Sequence, residues 1–293
     1  MRRTKWAIGL AVVLAGATGV SSAARHDEEY DLRGPAPKKG QVYSSKMVLR
    51  IKDADMEVKL GGQSLKLKQT LVATTEEEEK VLAVEGRQVT KSQARIIKDQ
   101  VDITADFMGM KMSEKHSNEL EGEVIISERT AEGKWKHILV DTKPTDKQKK
   151  ELAKRLGPEN DDELFPEGKV KVGHTWTVDA AEMKRFFGNS FTEVKGKMNQ
   201  KFLKVEEAEG EECAVIESSG KIRARMKDDD GEPGLNVDLE MTTTTWRSLK
   251  TGVEVKGTFK GKIRMAGKQK IDDNEADVVI DGPIDGTSST KLK

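Results

Sequence analysis

Residues 253–265 read VEVKGTFKGKIRM. Val253, Val255, Phe259, Ile263 and Met265 fall on one parity, and Glu254, Lys256, Lys260, Lys262 and Arg264 on the other. Side chains alternate across a β-strand, so this pattern describes a strand with one dry face and one wet face. Gly257 and Gly261 fall on the dry face, where a missing side chain lets the strand bend or admits a close neighbour.

The pattern recurs outward from there. Tyr43, Met47, Leu49 and Ile51 alternate with Lys46, Arg50 and Lys52. Met56, Val58 and Leu60 alternate with charge up to Gly61-Gly62, and Leu65 and Leu67 resume the alternation beyond it, which is a hairpin signature. Leu235, Val237, Leu239 and Met241 repeat the motif, as do Ile222, Ala224 and Met226. One-sided strands pair antiparallel, because parallel sheets are buried on both faces. The expected strands run to roughly 8–13 residues, beyond the common ~5–6. Long one-sided strands must curl to bury the dry face. The expected fold class is mainly β: long antiparallel strands in a curved sheet, a half-barrel or barrel, with two short amphipathic helices.

The first helix follows Pro144. Thr145 and Gln148 have capping-box spacing, Leu152 and Leu156 share a face, and Gly157-Pro158 stops it. The second spans 179–188, with Asp179 as cap, Glu182 at the third position and Met183, Phe186 and Phe187 on its apolar side. Each helix is expected to cover an open part of the sheet.

The N-terminus carries an address. Arg2, Arg3 and Lys5 precede an apolar stretch at 6–20, followed by Ser21-Ser22-Ala23-Ala24. That is the layout of a secretory signal peptide, expected to cover residues 1–24. The apolar stretch is shorter than the ~20 residues of a membrane span, so no stable span is expected after processing. An extended leader (25–40) then leads into one β-rich domain (41–293). Its halves, 41–143 and 171–293, are joined by a helical connector at about 144–188. The expected location is the periplasm or the extracellular space.

Composition narrows the function. Lys plus Arg total 51 and Asp plus Glu total 51, so loss of the basic signal leaves a slight acidic excess. That excludes a basic nucleic-acid binder. Cys213 is the sole cysteine and alternates with Val215, so it reads as a small buried apolar side chain. The four histidines (His26, His116, His137, His174) fall in no catalytic motif. The chain is expected not to be an enzyme and to carry no cofactor or resident metal. The acidic runs at 159–163, 228–232 and 272–277 lack calcium-loop spacing and read as solvated turns. Residues 75–80, TEEEEK, read as a wet hairpin or strand end.

Leu164-Phe165-Pro166, Val170, Val172, Gly173 and Trp176 form an FP-x-x-x-V-x-V-G-x-x-W stretch. It resembles a stretch found in an uncharacterised family of exported bacterial β-rich proteins. The lead-in PKKGQVY (37–43) and the late strands at 250–265 resemble the same family, so the likeness spans about 38–290. It implies an exported β-rich fold and no particular activity. At the level of fold alone, the expected architecture is similar to the lipoprotein-carrier and lipid-carrier half-barrels of bacterial envelopes.

Met108, Met110 and Met112 alternate in DFMGMKM. Thioethers are soft ligands suited to Cu(I), but a row spaced ~7 Å along one strand does not converge on an ion. Methionine also adapts to irregular apolar surroundings. The expected function is therefore a non-enzymatic binding protein holding a hydrophobic, lipid-like ligand in a Met-lined cavity. The candidate ligand-binding residues are Met108, Met110, Met112, Phe259, Met265, Met183, Phe186 and Phe187. On this reading Met110→Asp abolishes ligand uptake. The alternative is a structural or interaction module of the envelope with a packed core, and a copper-binding protein ranks third. Expected partners are a hydrophobic small molecule or an envelope protein.

Overall fold

The computed structural model describes residues 28–158, 161–182, 191–227, 233–271 and 274–293. The expected signal peptide lies outside them.

The chain forms β1 (Glu29–Asp31), β2 (Val42–Leu60), β3 (Gln63–Glu85), β4 (Gln88–Phe107), β5 (Met110–Ser117), β6 (Val124–Arg129) and β7 (Trp135–Leu139). Helix α1 (Asp146–Lys154) follows, then β8 (Lys169–Lys171), β9 (Thr175–Asp179), β10 (Phe191–Ala208), β11 (Glu211–Lys227), β12 (Pro233–Ser248), β13 (Glu254–Ile271) and β14 (Asn274–Leu292). Twelve strands make one sheet in the order β7-β6-β4-β3-β2-β14-β13-β12-β11-β10-β9, with β5 added beside β4. Every pairing is antiparallel. The sheet is not closed: β7 and β9 stand at its two ends. β1 and β8 form a separate small ribbon.

The sheet curls as one-sided strands require. One apolar cluster joins Ile51 and Ala54 of β2 to Val194 and Met198 of β10, and includes Ile222, Val237, Ile263 and Ile284 from the strands between. Strands β2 and β10 are five places apart in the sheet, so their inner faces meet only if it rolls. Gly61 and Gly62 both take positive φ, 57° and 82°, forming the primed turn that the right-handed twist of a hairpin favours.

The strands are longer than the alternation suggested. β3 runs 23 residues and β4 runs 20. Bulges explain the shortfall. The register shifts between Ile51 and Ala54, between Glu76 and Glu77, and between Trp246 and Arg247. Each shift switches the parity of the apolar positions, so one long strand reads as two short ones. Residues 75–80 accordingly lie in mid-strand in β3, not at an end.

Helix α1 carries the expected capping box: Gln148 N donates to Thr145 Oγ1 at 3.2 Å and the Gln148 side chain accepts from Thr145 N at 3.0 Å. Its Leu152 packs with Ile96, Leu120, Ile125 and Leu139. The second expected helix is not found in the described part of its span. Asp179 ends β9, its carboxylate accepts from Ala181 N at 2.9 Å, and Glu182 N donates to the Asp179 carbonyl at 3.0 Å. The cap chemistry is used to make a turn. Met183, Phe186 and Phe187 lie outside the described residues.

The topology sets a task for the connector. β7 and β9 are opposite edges of the sheet, so residues 140–174 must travel from one edge to the other. They are held along the way. Arg155 pairs with Glu77 of β3 at 2.5 Å, Arg87 at the β3–β4 turn pairs with Asp162, and Trp176 Nε1 donates to the Leu164 carbonyl at 2.8 Å. Asp161 takes a two-pronged pair from Arg247 of β12. In the acidic run at 159–163, whose residues 159–160 lie outside the described ones, Asp161 and Asp162 are not free in a solvated turn but bind the sheet.

Arg247 also gathers the leader. Its guanidinium donates to the carbonyls of Leu32 and Arg33 and lies 4.0 Å from the centre of the Phe165 ring. Leu32 is buried among Val170, Phe202, Ala214 and Ile216. Removing the guanidinium strands a carboxylate and two carbonyls, and breaking such buried pairs costs about 3–5 kcal/mol. Arg247→Ala should lower unfolding stability by about 3 kcal/mol in chemical denaturation and make residues 28–40 cleavable under limited proteolysis. Arg247→Lys should rescue little, because an ammonium cannot make the fork.

Candidate functional site

A cavity of about 260 Å³ lies between the inner face of the sheet and the connector segment around Leu164 and Phe165. Its apolar wall is Met47, Leu164, Phe165, Met198, Ile216 and Phe259. Its polar wall is Gln200, Ser218, Thr243, Thr245, Ser288 and Glu254, with Arg247 and Asp161 at one end. The volume sits just below the ~300–1,000 Å³ of common small-molecule sites.

Two glycines shape this floor. A Cβ on Gly286 would collide with the tip of the Phe259 ring, so the glycine makes room for it. A Cβ on Gly257 would collide with Glu254 Oε1 and Ser288 Oγ, so the glycine leaves space for the carboxylate. The close approach expected at Gly257 is therefore made by a charged group of the chain itself.

Glu254 belongs to the wet face by strict alternation. The register shift between Trp246 and Arg247 pairs Arg247 with Glu254 and turns Glu254 toward the cavity. Ser288 Oγ donates to it. Burial pushes its pKa up; the Ser288 hydrogen bond and Arg247 oppose the rise, and Asp161 adds to it. Gln200 accepts from Ser218 Oγ at 3.1 Å.

A second, wider cleft of about 870 Å³ lies between α1 and the β3–β4 face. It is lined by Glu76, Glu77, Glu79, Asp99 and Glu151 against Lys98, Lys154 and Arg155. Lys46 holds Glu76 at 2.6 Å and Lys154 holds Glu151 at 3.0 Å. Burial raises the pKa of Glu79, Ser92 opposes, Glu77 adds and Arg155 opposes. Burial likewise raises Asp99. Among the described residues no group of three or more His, Cys, Asp or Glu is placed to hold a metal ion.

The candidate residues separate. Phe259 lines the cavity. Met265 is partly buried, packs against both the main core cluster and Leu235, Ala276 and Val278, and does not line the cavity. Met108 is not on a strand: with Gly109 it forms a turn, at φ 52° and 84°. It is 87% exposed, and Met110 and Met112 are 62% and 57% exposed. Register puts Met110 opposite Phe107 and Met112 opposite Ala105, so both lie on the sheet's inner side. Among the described residues the connector is held elsewhere on the sheet and leaves that stretch exposed. The methionines that do line the cavity are Met47 and Met198. Cys213 is fully buried, and burial with the Glu211 carboxylate pushes its thiol up to about 11.

Sequence reasoning missed Arg247, Glu254, Asp161 and the hydroxyl row. One signal was present: Thr243, Thr245 and Arg247 continue the parity of Leu235, Val237, Leu239 and Met241. The dry face turns polar at that end, and a run of four threonines hides the switch.

No family model matches the chain, and no curated protein matches it. Among solved structures, the chain is similar to a DUF1329 family protein from Desulfovibrio piger, with 11% identity over 86% of this chain and 84% of that chain, at a TM-score of 0.19. The likeness is distant, and the sheet order and cavity are properties read from this chain itself.

Two outcomes are expected. Met110→Asp should shift stability by no more than about 0.5 kcal/mol, as exposed substitutions do, and leave the cavity's binding unchanged in a titration. Glu79→Gln should stabilise the protein at pH 8 and lose that advantage toward pH 4. A carboxyl whose folded pKa is raised contributes stability below its unfolded value and loses it as pH rises through the folded one, and glutamine removes that loss. Thermal denaturation of both proteins across this range checks the sign.

Proposed function

We propose that this is a non-enzymatic binding protein, exported from the cytoplasm, that holds a small and largely apolar molecule between the curved sheet and its connector. The observation that carries the reading is the cavity over Phe259, Met47 and Met198, roofed by Leu164 and Phe165. Ligand sites are concave, mostly apolar and furnished with a few polar groups, and this one has that make-up. Export rests on the N-terminal signal pattern. The size, about 260 Å³, argues for a modest ligand. The lipid-like cargo is thereby narrowed to a single small apolar body.

A second reading has its own support. Leu65, Ile97, Met110 and Met112 are exposed, and among the described residues β5 pairs with β4 alone. An open strand edge beside exposed apolar side chains is what a protein-interaction module uses. The two readings are separated by native mass spectrometry of the protein purified from its own envelope, followed by solvent extraction. The cavity reading expects a discrete added mass of a few hundred daltons or less that extracts into organic solvent. A clean apo mass, with a second polypeptide co-purifying, would favour the interaction module.

A further inference from the structure

The cavity carries an unbalanced charge. Its charged lining residues are Asp161, Arg247 and Glu254. Arg247 and Asp161 hold each other in a two-pronged pair, and the guanidinium's other bonds go to the carbonyls of Leu32 and Arg33. Asp161 takes up the guanidinium's hydrogen bonds, while Arg247 still favours the Glu254 carboxylate from across the strand pair and Asp161 acts against it. Glu254 is left without an ion pair of its own. It accepts from Ser288 Oγ, and among the described residues no cation lies in ion-pair contact with it. Its place is built: the bulge in β12–β13 turns it inward, and Gly257 leaves the space its carboxylate fills.

A carboxylate facing an apolar wall is costly unless something neutralises it. A ligand bringing a cation gains a charge-assisted hydrogen bond in a medium less polar than water. A ligand bringing a carboxylate meets a like charge. We infer that the cavity selects an apolar molecule bearing a primary ammonium group, with Glu254 as its counter-ion. The inference rests on the cavity being a binding site. Thr245 donates a second hydrogen bond to Glu254, Thr243 adds a hydroxyl to the polar wall, and Met47, Met198 and Phe259 receive the apolar end.

The test is calorimetric titration of the purified protein at neutral pH with n-hexylammonium, 1-hexanol and hexanoate, which share one chain. Hexylammonium should bind roughly tenfold or more tightly than hexanol, the scale of one charge-assisted contact, and hexanoate more weakly than hexanol. Methylammonium, which lacks the chain, should not bind measurably. Glu254→Gln, nearly isosteric, should level hexylammonium with hexanol and leave hexanol unchanged. If hexanol and hexylammonium bind the wild-type protein equally, the cavity stands and the charge selection is overturned. If none of the three binds, the cavity reading falls with it. Should the variant fail to fold, the wild-type comparison of ammonium with alcohol decides the question alone.

Discussion

A guanidinium with 4% of its side chain exposed is the constraint around which the rest of this molecule is arranged. Taking a charge out of water costs several kcal/mol unless opposite charge and hydrogen bonds replace the lost hydration. Arg247 finds these replacements in three separate stretches of chain. Asp161 comes from the connector, two carbonyls come from the leader, and the Phe165 ring lies beneath. None of these is near residue 247 in sequence. The charge therefore dictates where the connector crosses the sheet and where the leader lies, which is a matter of placement more than of net stability. The cavity is the space left beneath that crossing.

The general fold was legible because its signals are local. Alternation in VEVKGTFKGKIRM and its relatives announces one-sided antiparallel strands, Gly61-Gly62 announces a hairpin, and Thr145 with Gln148 announces the start of α1. What escaped is what depends on exceptions to those patterns. A bulge moves Glu254 from the wet face to the cavity, and bulges elsewhere split long strands into apparent short ones. The acid-rich runs at 75–80 and 159–163 read as wet because charge counts do not show partners. Their partners, Arg155, Arg87 and Arg247, are between 75 and 86 positions away. The methionine row shows a different limit. Its parity was right for Met110 and Met112, but parity states which side a residue takes and not whether anything covers that side.

The interior is divided between two kinds of chemistry. Toward one end the inner face is aliphatic, with Ile51, Ile222, Ile263 and Ile284 packed as a core. Toward the other it becomes hydroxyl- and carboxyl-bearing, from Thr243 and Thr245 to Glu254 and Ser288. Phe259 and Met198 sit at the join. A molecule with an apolar body and one polar end matches that gradient, and a uniformly greasy one would leave the polar wall facing hydrocarbon.

The pairing of β14 with β2 has a consequence for how the chain reaches this state. The last strand completes the sheet by lying beside the first long one, and Lys293 N donates to the Val42 carbonyl at 2.9 Å. The two meanders on either side can form from neighbouring hairpins, but their union waits for a contact spanning some 250 residues. Closing so long a loop is entropically slow, and chains dominated by such distant pairings fold late and expose unpaired edges meanwhile. During synthesis β2 has no neighbour on its β14 side until residues 274–292 emerge. Until then its β14-facing edge, with Lys46 and Arg50 beside it, stays open, and that interval is when the long sheet is most exposed to aggregation.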